Sequence, residues 1–383
     1  MKNNTADIRR IVAAHVRTGE TFEFSFDAVR LLERRRVRAR AQAVFGPGFL
    51  DLQCNGYAGV DFNHPHVAPQ QIVVAIRAMW RDGCAHVLPT LITASQERLC
   101  TLFERLATTL KNHPEVAGAV PGFHLEGPFI SPIEGARGAH PLAHVCAASR
   151  KFWRECQRAA GGSIKLVTVA PEVAGAIPFI RQLRKEGVLP ALGHTMASSR
   201  IVAQACDAGA MMTTHLGNGC PQMIQRHANP IFAQLAEDRL VASVIPDGVH
   251  LPPEVVRLFH RVKGPERTVL VTDAMAAAGA PAGRYTIGDL DIEVGRDRVV
   301  RQPGSPNLAG SALTMDRAVS EYVRMTGVPL AEAWDAASVR PWELLRRAGA
   351  VKRTEESCVL GRWADGKLEV LATLRGKRVL WAK

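Results

Sequence analysis

Two carboxylates and two histidines each follow a short apolar run. They are Glu126 in His124-Leu125-Glu126-Gly127-Pro128-Phe129, His194 in Leu192-Gly193-His194-Thr195, His215 in Thr213-Thr214-His215-Leu216 and Asp273 in Val271-Thr272-Asp273-Ala274. A carboxylate placed directly after an apolar run is costly to bury unless it is paired or bound to a cation. Two imidazoles and one carboxylate form the ligand set of a catalytic zinc site that keeps one position open, and a separate carboxylate nearby acts as general acid and base. A lone histidine in such a setting is more often a hydrogen-bonded core residue. Four such residues at four run ends weigh against that reading. Gln53 and Asn55 in Gln53-Cys54-Asn55, and His250 in Asp247-Gly248-Val249-His250, stand at equivalent places. The amides of the first two are poor metal ligands beside histidine or carboxylate. His64-Pro65-His66 has the spacing of many metal sites, but it falls in a proline-containing loop well past the first run and reads as structural.

Residues so far apart in sequence need a fold that delivers them to one place. From Phe45 onward, short apolar runs alternate with helix-like stretches, the pattern of βα units around a parallel sheet. Eight runs stand out, at 49–54, 86–91, 120–125, 165–170, 189–193, 211–214, 240–245 and 268–272. Eight is the number that closes a (β/α)8 TIM-type barrel, whose reacting groups stand at the C-terminal ends of the strands. Helices are expected over 70–81, 95–111 (with Ser95 as N-cap), 197–208, 253–262, 312–325 and 331–347, the last broken or kinked by Pro341. Outside the barrel, assigned to 45–351, residues 1–44 and 352–383 alternate apolar and polar residues. The clearest strands there are 22–26 and 368–372, and the two termini are expected to form one small β-sandwich domain.

The 383 residues are 47% hydrophobic and 22% charged, a globular composition that excludes general disorder. No uncharged apolar run approaches the ~20 residues of a membrane span, and Met1-Lys2-Asn3-Asn4-Thr5-Ala6-Asp7 begins no apolar signal segment, so a cytoplasmic protein without membrane partners is expected. Eight scattered cysteines without a C-x-x-C pair suit reduced thiols. The formal charge of +12 fits either nucleic acid or an anionic small substrate. The densest basic stretch, residues 34–40, lacks aromatic neighbours and reads as a solvated turn and edge strand; no nucleic-acid partner is expected.

These motifs, with Pro47-Gly48-Phe49-Leu50-Asp51-Leu52-Gln53-Cys54-Asn55-Gly56, Leu88-Pro89-Thr90 and Leu308-Ala309-Gly310-Ser311-Ala312-Leu313-Thr314-Met315, resemble in order the N-acetylglucosamine-6-phosphate deacetylase family of the amidohydrolase superfamily. The resemblance implies Glu126, His194 and His215 as metal ligands and Asp273 as the catalytic acid and base. Gln53-x-Asn55 replaces the H-x-H of two-metal relatives, so it implies one divalent ion per subunit, with zinc the first candidate, and a vestigial second position. It further implies substrate contacts from Ala139, His140, Asn218, Gly219, His250, Leu308, Ala309 and Gly310, and a homodimer in which Arg226 reaches across to grip a phosphate. The implied reaction is deacetylation of N-acetylglucosamine 6-phosphate to glucosamine 6-phosphate and acetate in amino-sugar catabolism. The alternative is the same chemistry on N-acetylgalactosamine 6-phosphate or an unphosphorylated N-acetyl sugar. One departure lies beside the site: after Thr-His-Leu the family has an aromatic residue and Asn-Ala-Met, whereas this chain reads Gly217-Asn218-Gly219-Cys220, which is expected to widen or reshape the pocket.

Overall fold

The structure is a computed structural model that describes residues 8–303, 308–352 and 356–383, so the N-terminal heptapeptide read above lies outside the described residues. Eight strands form the larger sheet: β1 (Phe49–Cys54), β2 (Cys84–Ile92), β3 (Phe123–Glu126), β4 (Ile164–Val169), β5 (Leu189–Leu192), β6 (Met212–Thr213), β7 (Val241–Val244) and β8 (Thr268–Leu270). They pair in sequence order, with every pair parallel. Nearly every strand residue is buried, which is why the runs read as continuously apolar rather than alternating. The ring closes where a parallel bridge joins Cys54 to Ala274, flanked by Asp273 N–H to Gln53 O at 3.0 Å and Asn55 N–H to Ala274 O at 2.6 Å. The barrel therefore closes at the residues that carry two of the candidate site groups.

Amphipathic helices cover the outside. The helix Gln96–Asn112 starts where the sequence places it, with Ser95 Oγ accepting the Arg98 N–H at 3.2 Å. The long helix expected over 331–347 is two helices, Leu330–Ala337 and Val339–Ala348, parted at Ser338 rather than at the proline. Pro341 sits near the start of the second helix, where a missing N–H leaves no hydrogen bond unmade. Two outer helices, Arg150–Ala159 and Ala176–Lys185, and an insertion after β8 were not expected in particular. The insertion is a three-stranded antiparallel sheet of Gly283–Ile287, Leu290–Val294 and Val300–Arg301. It buries Ile287, Ile292 and Val300 against Ile92, Met275 and Ala309, making a second small core beside the mouth of the barrel.

Strands from both termini form the second domain, a seven-stranded sheet ordered Arg378–Ala382, Lys367–Arg375, Ser357–Ala364, Ala43–Pro47, Arg9–His15, Thr21–Phe26 and Leu31–Arg36. Arg9–His15 runs parallel to Ala43–Pro47; the other pairs are antiparallel. The outermost strands meet at an Arg30–Arg378 bridge, so the sheet folds over a core that includes Phe24, Phe26, Phe45, Leu360 and Leu374. The basic stretch lies on the exposed edge strand Leu31–Arg36, where the Arg34 guanidinium covers the Phe22 ring at 4.6 Å. Ala43–Pro47 pairs within this small sheet up to Pro47, past residue 45, and the chain enters the barrel through Gly48.

The domains join near the beginnings of β1 and β2, away from the candidate site. Trp334 Nε1 donates to Pro47 O at 2.8 Å and Thr373 Oγ1 to Trp80 O at 2.7 Å. His86 Nε2 meets Ser357 Oγ at 3.1 Å, and its ring packs edge-on against Trp342 with centroids 5.0 Å apart. Burial, aided by the Arg375 charge, pushes the His86 pKa down to about 3. Between pH 6.5 and 3 the unfolded chain therefore holds a proton at this residue that the folded chain does not, and stability is lost as pH falls through that window. One such group contributes up to ~1.4 kcal/mol per pH unit. His86→Gln, which cannot take up the proton, is expected to show a shallower decline in urea-unfolding free energy between pH 6.5 and 4.5 than the parent protein.

Candidate active site

At the C-terminal ends of β3, β5 and β6, Glu126, His194 and His215 turn into one buried space. His194 Nε2 lies 3.1 Å and His215 Nε2 3.0 Å from Glu126 Oε1, and the two imidazole nitrogens are 3.1 Å from each other. The other His194 nitrogen, Nδ1, lies 2.9 Å from the Ala136 carbonyl, which can only accept; the ring hydrogen therefore sits on Nδ1. In the neutral ring Nε2 then turns a lone pair toward a carboxylate oxygen. Acceptors facing each other at this distance repel unless a cation lies among them. Donors held around a tetrahedral ion by bonds of ~2.0–2.1 Å stand roughly 3.3 Å apart, close to the separations found here. Burial favours the protonated Glu126 carboxyl, but where the facing imidazoles carry an added proton their hydrogen bonds and charges outweigh it and hold the carboxyl well below the usual range.

His140 also reaches this cluster, and with Glu126 and His194 it makes a second possible set of three ligands. Its Nδ1 accepts the Thr93 backbone N–H at 3.3 Å and meets Thr93 Oγ1 at 2.7 Å, so in the neutral ring the hydrogen is on Nε2. Burial and the neighbouring His194 push the His140 pKa down to about 3, which keeps the ring neutral. His140 thus offers a hydrogen-bond donor to the cavity, whereas His194 turns a lone pair toward Glu126.

Asp273 stands at the end of β8 opposite these groups. Its Oδ1 accepts from Asn55 Nδ2 at 2.7 Å and from Gln53 Nε2 at 3.1 Å; the same Gln53 nitrogen lies 2.9 Å from Glu126 Oε1. The amides at the end of β1 therefore act as donors that bridge two carboxylates. Burial, and next the Glu126 charge, push the Asp273 pKa up to about 6. A carboxyl in that range exchanges protons readily near neutrality.

The backbone at these positions is held in an unfavourable conformation. Six non-glycine residues have positive φ among the described residues, and His194 (50°), His215 (30°) and Asp273 (49°) are three of them. Such a conformation persists only when the surroundings impose it. Ser243 of β7 accepts the His215 N–H at 2.7 Å and donates to Thr213 O at 2.8 Å. Ser311 donates through Oγ to Thr272 O at 2.6 Å and through its N–H to Asp273 O at 2.8 Å, while Ser131 N–H reaches His194 O at 2.9 Å.

A cavity of about 340 Å³ opens over the cluster. Asn55, Glu126, Ala139, His140, His194, His215, Asn218, Gly219, His250, Asp273, Leu308, Ala309 and Gly310 all line it, whereas Gln53 is buried beneath. His250 is steered by Asp247, whose Oδ2 lies 2.7 Å from its Nδ1. Arg226 is exposed on the 221–229 segment and does not line the cavity of its own chain. His64 and His66 lie outside it as well. Sequence reasoning missed Ile92, Gly135, Gly138 and Ile287 in the lining, and Thr93, Ser131 and Ser243 behind it. Only Ser243 carried a local signal, a lone hydroxyl within the apolar run Val241-Ala242-Ser243-Val244.

The divergent loop after His215 is shaped by two glycines. At Gly217 (φ +92°) a Cβ would come within 2.8 Å of Leu251 and 3.2 Å of Phe259, so a side chain on this backbone would run into core residues, while the glycine itself lines the cavity. At Gly219 (φ +61°) a Cβ would meet the His194 ring at 2.9 Å, so the loop lies directly against that imidazole. Ser243→Ala removes the partner of a buried N–H at a strained position; it is expected to lower stability by about 1–3 kcal/mol, measured by urea unfolding.

No family model matches the chain. N-acetylglucosamine-6-phosphate deacetylase from Bos taurus is 33% identical over 91% of this chain and 87% of its own length. N-acetylgalactosamine-6-phosphate deacetylase from Escherichia coli O157:H7 is also 33% identical, over 81% of this chain and 80% of its own. A variant of N-acetyl-D-glucosamine-6-phosphate deacetylase from Mycobacterium smegmatis, solved in complex with N-acetyl-D-glucosamine-6-phosphate, superposes with a TM-score of 0.82 at 29% identity, covering 97% of this chain and 99% of that one. With the barrel, the small sheet of both termini and this level of identity over nearly its whole length, the chain belongs to the N-acetylglucosamine-6-phosphate deacetylase family of amide hydrolases.

Proposed function

We propose that this chain hydrolyses the acetamide of N-acetylglucosamine 6-phosphate to glucosamine 6-phosphate and acetate, using one divalent ion held by Glu126, His194 and His215. The observation that carries this reading is the convergence of Glu126 Oε1 and two imidazole Nε2 atoms at 3.0–3.1 Å, with the His194 hydrogen directed to Ala136 O on the other side. Bound there, the ion (zinc is the first candidate for this donor set) supplies Lewis-acid polarisation of the amide carbonyl and lowers the pKa of the attacking water.

The chain's own residues supply the rest. Asp273 has Oδ1 engaged by Gln53 and Asn55, so Oδ2 serves the reaction. It takes a proton from the water as the oxygen attacks the carbonyl carbon, and it returns that proton to the nitrogen as the C–N bond breaks. His140 donates from Nε2 to substrate oxygen, and Asn218, Gly219, His250 and the 308–310 loop orient the sugar. Among the described residues the lining contains no lysine or arginine, so a phosphate needs a cation from elsewhere. Arg226 of a second subunit is proposed for that role in a homodimer; its exposure, beside the 91% exposed Met223, suits an interface. No helix among the described residues is long and apolar enough to cross a membrane, and the eight cysteines are free thiols, as suits the proposed cytoplasmic setting.

A second reading, the 4-epimer N-acetylgalactosamine 6-phosphate, is favoured by the 33% identity to an enzyme of that name and by the altered residues 217–220. Acetate release by the zinc-loaded protein, with both phosphorylated epimers and unphosphorylated N-acetylglucosamine side by side, tests the assignment. Turnover is expected to be fastest with the glucosamine ester; preference for the galactosamine ester moves the substrate to the second reading, and no acetate from any of them refutes both. Asp273→Asn is expected to lower kcat about 10²–10⁴-fold with the metal content unchanged by elemental analysis. Arg226→Ala is expected to raise KM for the phosphorylated sugar roughly 10–100-fold, the loss of a charge-assisted hydrogen bond, and to leave the unphosphorylated sugar unaffected; equal effects on both would remove Arg226 from the phosphate site.

A further inference from the structure

One wall of the cavity is apolar, and it stands beside the reacting groups. Ile92 at the end of β2 is the register partner of Glu126 on β3, so in this parallel pair both side chains point to the same, inner face. The alternation along the strands agrees, because Thr90 and His124, two residues earlier, meet across the same face at 3.3 Å. Ile287, delivered by the insertion after β8, and Ala139, next to His140, complete the wall. On its far side lies a second, small cavity of about 60 Å³, bordered by Arg98, Leu102 and Leu290, and the same three residues, Ile92, Ala139 and Ile287, line both spaces. Ile92 and Ile287 are 8% and 4% exposed and belong to one packed cluster with Met275 and Ala309, so the partition has little freedom to move aside.

Resting on the deacetylase reading above, we propose that Ile92 and Ile287 form the acyl subsite and restrict the substrate to a two-carbon acyl group, with Ile287 as the residue that sets the length. The rest of an N-acylated sugar phosphate is hydroxyls and charge; its acyl carbon chain is the one part that matches an apolar surface, and it is attached to the carbonyl that Glu126, His140 and Asp273 surround. A further methylene would have to enter the space taken by the Ile287 side chain. Shortening that side chain joins the cavity to the small space behind it. The insertion thereby gives this barrel a selectivity element that the eight βα units do not contain.

The test compares kcat/KM for N-acetyl-, N-propionyl- and N-butanoylglucosamine 6-phosphate in the zinc-loaded parent protein, Ile287→Ala and the milder Ile287→Val. The parent is expected to lose at least about tenfold with the first added methylene and more with the second. Ile287→Ala is expected to bring the propionyl compound to within about threefold of the acetyl compound, with Ile287→Val between; should the alanine variant fail to fold, by circular dichroism, the valine variant reads the same ratio. A parent that accepts the propionyl compound as readily as the acetyl compound would overturn the proposal. So would a folded, active variant whose propionyl-to-acetyl ratio matches the parent's. If the parent hydrolyses no N-acyl substrate of the three, it is the underlying deacetylase reading that fails.

Discussion

Two buried carboxylates and two imidazoles share a single space at the mouth of this barrel. Glu126 and Asp273 are both carboxylates, and His194 and His215 turn nitrogens toward Glu126 at hydrogen-bond distance, one of them with its hydrogen committed elsewhere. Burying unpaired charge of one sign is among the most costly things a fold can do. Much of the C-terminal face either compensates this charge or prevents the groups from turning away from each other. A divalent cation would compensate this charge, and the proposed amide hydrolysis would use the same cation.

Part of the compensation is built into the first strand. Gln53 donates one nitrogen to both Glu126 and Asp273, and Asn55 donates to Asp273, so neutral amides bridge the two carboxylates. Their positions depend on the closure of the barrel. Beneath them the buried Asp51 accepts from the Gln53 N–H at 3.2 Å and from the Thr272 N–H and hydroxyl at 3.3 and 2.5 Å, linking β1 to the end of β8. Burial pushes the Asp51 pKa up to about 7, and those donors oppose the shift. Barrel closure and carboxylate placement are thus one set of interactions.

Holding the groups in position costs backbone strain, and the cost is met locally. The left-handed φ values at His194, His215 and Asp273 aim each side chain inward just past its strand, and the hydroxyls or N–H groups of Ser131, Ser243 and Ser311 keep the chain there. Among the described residues the terminal domain adds nothing to the cavity lining; it packs on the opposite end, at Pro47, Trp80 and His86. The insertion after β8 does reach the site, and through Ile287 it turns one side of a polar cavity into an apolar surface.

How much of this was legible from residues alone depends on how local each cause is. The eight strands were readable because each is buried on both faces and so appears as an uninterrupted apolar run; the first was placed to the residue, and the others within three residues at either end. Glu126, His194, His215 and Asp273 were readable because a polar group at the end of such a run needs a reason. The insertion was not readable, since its three strands are short and half-exposed and their pairing is antiparallel within a parallel pattern. The break at Ser338 instead of Pro341 depended on which backbone N–H groups are free at a helix start, a property of the helix ends rather than of the proline. That Leu251 and Phe259, from a distant segment, lie against Gly217 was likewise not readable from the loop itself. The sequence by itself therefore determined the barrel, the order of its strands and which polar groups stand at the strand ends, because each of these is set by burial along a few consecutive residues. The tertiary structure decided which nitrogen of each histidine faces the cavity, which amides bridge the carboxylates and which isoleucine bounds the pocket, because each depends on atoms brought together from strands and loops far apart in the chain.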